Sequence, residues 1–183
     1  MSEAKTPEQL AKEGKQAYQR GDYPAAAAFF EAARQGYTAS EDRLNAAEMA
    51  NNASVAYLQA GEAQAALQAA EGTAAIFAQA GDLRRQGMAL GNLGSALEAL
   101  ARPDEALQAY QQSAEVLQQC GEDELRASVM QSISGLQFRT GRQLQALASM
   151  QDGLEGLKRP SPKQKFLKRL LRIPFEMLNK KSS

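Results

Sequence analysis

Residues 91–110 read GNLGSALEALARPDEALQAY. Leu93 and Leu97 precede an Arg102-Pro103 break, and Leu107 and Tyr110 follow it. Both flanks have helical spacing, so the stretch reads as two helices folded back on each other. Gly94 and Ala106, small residues on either side of the break, are expected to be the contact point of that hairpin. Small side chains let helix backbones approach at the short end of the usual range.

The pattern recurs. YQRGDYPAAAAFF starts at Tyr18, LQAGEAQAALQAA at Leu58, EALARPDEALQAY at Glu98 and FRTGRQLQALASM at Phe138, each 40 residues after the last. A fixed period of this size marks a repeat architecture. Three columns are small throughout: Gly14, Ser54, Gly94, Ser134; Ala26, Ala66, Ala106, Ala146; and Ala33, Thr73, Ser113, Gly153. The first column lies on the first helix of each pair and the second on the second helix, so the two are expected to meet. The third is expected to face the next repeat. Helix pairs are expected at about 6–20 with 23–38, 42–60 with 63–79, 82–100 with 103–119, and 122–140 with 143–157.

Composition agrees with helices. Among 183 residues alanine leads, Gln and Leu are plentiful and Val and Ile are scarce. There is no histidine, which excludes His-based triads, His general bases and His metal sites. The single cysteine, Cys120, forms no internal disulfide and fits a reducing compartment. MSEAKTPEQLAKEG lacks the apolar core of a signal peptide, and no apolar run approaches the ~20 residues of a membrane span. A soluble, cytoplasmic protein is expected. The zero net charge hides a polarity: residues 1–157 hold 12 basic and 20 acidic residues, and residues 158–183 hold 9 basic residues and one acid, Glu176.

These columns resemble the tetratricopeptide repeat (TPR) family. Its signature has a bulky residue, Leu-Gly and Tyr on the first helix, then Ala-x3-aromatic on the second. Leu90, Leu93-Gly94, Leu97, Ala106 and Tyr110 match it best. Gly14, Gly21-Asp22-Tyr23, Ala26, Phe30 and Ala33 match in the first repeat, Tyr57 and Ala66 in the second, and Ile133, Ser134, Ala146 and Met150 in the fourth. The period of 40 exceeds the family's usual ~34, and Thr38, Ala78, Gln118 and Lys158 stand where the closing proline is usual. Long repeats of this kind are similar to those of kinesin light chain and of the Leu-Gly-Asn-rich adaptor, whose A-x-x-N-L-G is echoed by ALGNLG at 89–94. The resemblance implies an all-α, right-handed solenoid of four helical hairpins and a protein-binding role without catalysis.

Nothing reads as catalytic chemistry. Gly87, Gly91 and Gly94 fall inside a helix at packing positions, without the strand and spacing of a phosphate loop. Acids at Glu41-Asp42, Asp82 and Glu122-Asp123-Glu124 mark the starts of first helices, where they complement the helix dipole. No cofactor and no metal are expected.

In TPR proteins the first helices line a concave groove that takes peptides. Projected onto this chain, the lining is Lys12, Lys15 and Tyr18 in repeat 1; Asn51, Asn52, Val55 and Gln59 in repeat 2; Met88, Asn92, Ser95 and Glu98 in repeat 3; and Gln131, Ser132, Phe138 and Arg139 in repeat 4. Asn52 and Asn92 are equivalent, and Asn is a poor helix former. They are read as holding a ligand backbone or, equally, as bonding a neighbouring helix. Of the family's carboxylate clamp only Asn52 is in place, because Ala11, Lys15, Met88 and Asn92 fill the other slots; chaperone-tail binding is not expected.

The chain divides into a repeat domain, 1–159 (repeats 7–46, 47–86, 87–126 and 127–159), and a basic tail, 160–183. Ser161-Pro162 is a helix start. Phe166, Leu167, Leu170 and Leu171 form one apolar stripe among Lys165, Lys168, Arg169 and Arg172, and Pro174 is expected to end or kink the helix. Three uses compete: capping the solenoid end, lying on an anionic membrane, or docking on a protein, on RNA or on the acidic body. The first reading of function is an adaptor or assembly factor that binds a peptide or helix. A peripheral membrane protein and a self-assembling homo-oligomeric scaffold are the alternatives; nucleic acid is disfavoured by the acidic body.

Overall fold

The computed structural model describes residues 5–180, with residues 172–180 described by backbone alone. Helices follow one another along the chain: α1 Pro7–Gln19, α2 Tyr23–Ala39, α3 Arg43–Gln59, α4 Ala63–Ala70, α5 Thr73–Gln79, α6 Leu83–Ala99, α7 Pro103–Gln119, α8 Asp123–Arg139, α9 Gln143–Glu155 and α10 Pro162–Lys180. Neighbours in sequence pack as antiparallel hairpins, α1 on α2, α3 on α4 and α5, α6 on α7 and α8 on α9, and the hairpins stack into a right-handed solenoid.

The turns explain the regularity. A left-handed residue recurs at every helix junction from 21 to 141: Gly21, Glu41, Gly61, Gly81, Ala101, Gly121 and Gly141. The next residue closes one helix and opens another. Asp22 N–H bonds the Ala17 carbonyl at 3.0 Å, and its carboxylate accepts from Ala25 N–H at the start of α2. Asp42 and Asp82 do the same for α3 and α6, and these backbone bonds hold both carboxyls below their ordinary range. Ala101 sits at φ 55°, a conformation that costs an L-residue about 1–2 kcal/mol. Ala101→Gly should therefore raise the melting temperature by about 2–4 °C, and Gly21→Ala should lower it by as much. Two thermal melts check the pair; a lower value for Ala101→Gly would mean that the turn carries no strain.

The small columns pack differently from expectation. A Cβ on Gly94 would lie 2.6 Å from Tyr110 Cδ1, and one on Gly14 would lie 2.7 Å from Phe30 Cε1. The Tyr110 ring thus fills the space that a side chain at Gly94 would take. In repeat 4 the first and second columns do meet, with Ser134 Oγ donating to the Ala146 carbonyl at 2.7 Å. At two positions the third column meets its own first helix. Ser113 Oγ donates to the Gly87 carbonyl at 2.6 Å, and Gly153 abuts Met130. The reason is geometric: the hairpin is antiparallel about residue 100, which sets position 113 opposite position 87.

Two helices depart from the sequence reading. The helix expected at 63–79 breaks into α4 and α5, with Glu71 extended at ψ 132° and Gly72 left-handed at φ 77°. Thr73 Oγ1 closes the break onto the Ala70 carbonyl at 2.7 Å. Pro174 does not end the last helix, which runs as one element from Pro162 to Lys180. Phe175, Met177 and Leu178 fall within it, and their side chains lie outside the described part, as does that of Arg172. The expected single stripe of α10 also divides. Leu171 is 6% exposed and Leu167 half-buried, whereas Phe166 and Leu170 are 69% and 50% exposed.

Candidate functional site

The Gly–aromatic contact builds a cavity, and it does so twice. Because Gly14 has no side chain, Phe30 lies flat on α1. Its ring floors a cavity of about 280 Å³ bordered by Lys15, Tyr18 and Gln19 of α1 and by Asn52 and Val55 of α3. Because Gly94 has no side chain, Tyr110 lies flat on α6. Its ring floors a cavity of about 910 Å³ bordered by Ser95, Glu98 and Ala99 of α6 and by Ser132, Gly135, Phe138 and Arg139 of α8. Every lining residue of the first cavity has its counterpart 80 residues on in the second: Lys15 with Ser95, Tyr18 with Glu98, Gln19 with Ala99, Phe30 with Tyr110, Asn52 with Ser132, Val55 with Gly135. The chain therefore repeats its surface every second hairpin, with the smaller side chains of the second copy leaving the larger space.

The two cavities differ in chemistry. Lys15 is exposed and, among the described residues, makes no ion pair, so the first cavity has a cationic rim. Tyr18 stacks edge-on to Tyr23 with centroids 5.3 Å apart. In the second cavity Glu98 is neutralised by Arg139 and receives the Tyr110 hydroxyl at 3.0 Å. Burial pushes the Tyr110 hydroxyl up to about 12, so it remains a donor throughout the neutral range. Ser95 Oγ lies 3.1 Å from the same hydroxyl and donates to the Gly91 carbonyl. Phe138 stands 66% exposed at the rim, beside half-buried Leu147 and Met150.

Other expected lining residues are placed elsewhere. Lys12 lies in a polar notch with Lys5, Gln9, Glu13 and Gln16. Gln59 borders neither cavity. Asn92 donates from Nδ2 to Asn51 Oδ1 at 2.9 Å, a bond to the neighbouring helix. Gln131 borders the second cavity and also the cleft leading to α10. The second-helix floor residues Phe30, Tyr110 and Met150 were missing from the sequence lining, although the 80-residue equivalence of Gly14-Phe30 and Gly94-Tyr110 carries them. A further cavity of about 500 Å³ lies against α2 and the α4–α5 break, lined by Ala46, Ala50, Ala65 and Ala69 with Glu31, Arg34 and Glu71. It comes from the break that the sequence reading did not contain.

Residues 85–159 match the tetratricopeptide repeat family. No curated protein matches the chain in sequence. Among solved structures, the putative kinesin light chain TPR-like repeats of Podosopora anserina superpose with a TM-score of 0.74 at 14% identity, over 98% of this chain and 91% of that one. BtubC (BKLC) from P. vanneervenii superposes with a TM-score of 0.68 at 16% identity, over 90% of this chain and 70% of that one. The apo form of RapI gives 0.71 at 16% identity over 94% of this chain, which spans 50% of RapI. Residues 85–159 thus carry the family's repeats, and the chain as a whole shares the fold of these TPR-like solenoids. Among the described residues no helix is long and apolar enough to cross a membrane.

Proposed function

We propose that the chain is a non-catalytic adaptor that holds a peptide or helix of a partner protein along the face bearing the two equivalent cavities. The observation that carries this is the recurrence itself. Cavities whose lining corresponds residue for residue, two hairpins apart, suit an extended ligand that meets the same backbone frame twice. Phe138 at the rim of the second cavity is a large aromatic left in water, and aromatics in such places are frequent anchors for partners. Lys15 at the other end favours an acidic residue in the same ligand. The ligand chemistry that fits is a segment with an apolar side chain for the Phe138 end and a carboxylate for the Lys15 end.

A displayed peptide library selected on the full chain tests this. Selected peptides should carry that apolar–acidic pattern. Phe138→Ala should weaken them by about 10- to 30-fold and Lys15→Glu by about fivefold, with melting temperatures unchanged because both residues are exposed. Peptides that bind both variants as well as the unmodified chain would place the site elsewhere.

A further inference from the structure

The last described helix has more surface than a cap requires. Covering the open end of a solenoid takes an apolar contact with the final repeat, and Leu167 and Leu171 supply it. Leu171 is buried, and Leu167 lines the cleft with Leu154 and Leu157. Phe166 and Leu170 take no part in that contact. They are one turn apart and adjacent on the helix, Phe166 mostly in water and Leu170 half exposed. Exposed Lys165 and Arg169 and half-exposed Lys168 surround them.

Among the described residues, the acidic body pairs with little of this charge. Residues 158–183 hold 9 basic residues against one acid. Among the described residues, Lys158 is the only cation of that segment in an ion pair, with Asp123 at 2.9 Å. Lys163, Lys165, Lys168 and Arg169 make none, although repeats of net negative charge lie beside them. Docking on the chain's own acids is thus not what the cations do. A polyanion such as RNA would use the cations but leave two large apolar side chains wet. A peptide would find no concavity on this convex helix face, and a protein with a groove of its own would need acidic residues to match the lysines and arginine around the apolar pair. An anionic bilayer uses both: apolar side chains enter the acyl boundary while lysine and arginine meet the lipid phosphates.

We infer that the outer face of α10 seats the chain on an anionic lipid surface, through Phe166 and Leu170 as the inserted pair and Lys165, Lys168 and Arg169 as the headgroup contacts. This stands independently of the groove.

Sedimentation of the full chain with vesicles tests it, comparing phosphatidylcholine alone with phosphatidylcholine carrying about 30% phosphatidylserine. The chain should partition onto the second and not the first, and rising salt should release it. Lys165→Gln with Arg169→Gln should lower the partition coefficient about 25-fold, near fivefold per charge. Phe166→Ser with Leu170→Ser should lower it at least tenfold. Neither pair should shift the melting temperature, since all four side chains are exposed. Equal partition onto both vesicles, or binding to anionic vesicles that survives the Phe166 and Leu170 changes, would overturn the inference. So would an absence of vesicle binding together with self-association that those two changes abolish, which would make a second copy the occupant.

Discussion

Gly94→Ser should lower the melting temperature, and adding Tyr110→Ala should recover part of what the two changes lose separately. The single change places a Cβ 2.6 Å from Tyr110 Cδ1, with further ring atoms at 2.8 and 3.0 Å. The ring is buried and tied to Glu98 and Ser95, so it cannot simply swing away. Overpacking of this kind costs about 1–3 kcal/mol, offset in part by the better helix propensity of serine. Tyr110→Ala alone empties a core position and should cost about 3–5 kcal/mol. The chain already holds the product of the double change, because repeat 2 has Ser54 and Ala70 at the equivalent positions. A double-mutant cycle by denaturant unfolding should therefore show a favourable coupling of about 1–2 kcal/mol. Additive losses would mean that the glycine and the ring are small and large for unrelated reasons.

The same pair links stability to the surface a partner would meet. Gly-with-aromatic occurs at Gly14-Phe30 and Gly94-Tyr110; Ser without an aromatic occurs at Ser54-Ala70 and Ser134-Met150. Where the aromatic is present it floors a cavity. Gly94→Ser should thus disturb the second cavity as well as the core, whereas Phe138→Ala touches only the rim.

The architecture was legible because its signal is local and repeated. Turns every 20 residues, small residues at close approaches and a constant period all point the same way. What was not legible depended on which of two small or polar residues meets which neighbour. Gly94 was matched to Ala106 because both are small, a pairing that Ser134 and Ala146 make in repeat 4, but the large residue that fills the space of the missing side chain is Tyr110. Asn92 was read as holding a ligand or as bonding a neighbouring helix; it does the latter, and the partner it finds there, Asn51, is what spacing could not name. Pro174 reads as a stop or a kink, and the helix continues through it. The split of α10 into an inner pair and an outer pair depends on where the helix lands on repeat 4, which no spacing within the helix encodes. The break at Glu71-Gly72 had a signal, a glycine mid-helix just after the one second helix with alanine in its aromatic slot. Without the ring at position 70, little holds that helix straight.

Phe77→Ala should produce the largest loss of any single substitution in the second hairpin. α5 has seven residues, too few to be helical by itself. Its largest anchor is one ring: Phe77 is fully buried in a small cluster with Ala47 of α3 and Ala89 of α6, with Ala74 and Ile76 packed against it. The Arg85 guanidinium stands 5.2 Å from the ring centroid and is itself fixed by Asp82 and Glu48. Removing the ring should cost about 3–5 kcal/mol, or on the order of 10 °C in melting temperature. Phe77→Leu should cost far less, because it keeps most of the buried volume. The form of the transition should change too. In a solenoid each hairpin is stabilised by its neighbours, so a weakened joint between repeats 2 and 3 uncouples the two halves. Unfolding of Phe77→Ala should split into two steps, with amide exchange in α5 fastest of the central helices. A single transition close to that of the unmodified chain would mean that α4 alone joins the halves. The two equivalent cavities would then sit on one rigid frame whatever happens at the break.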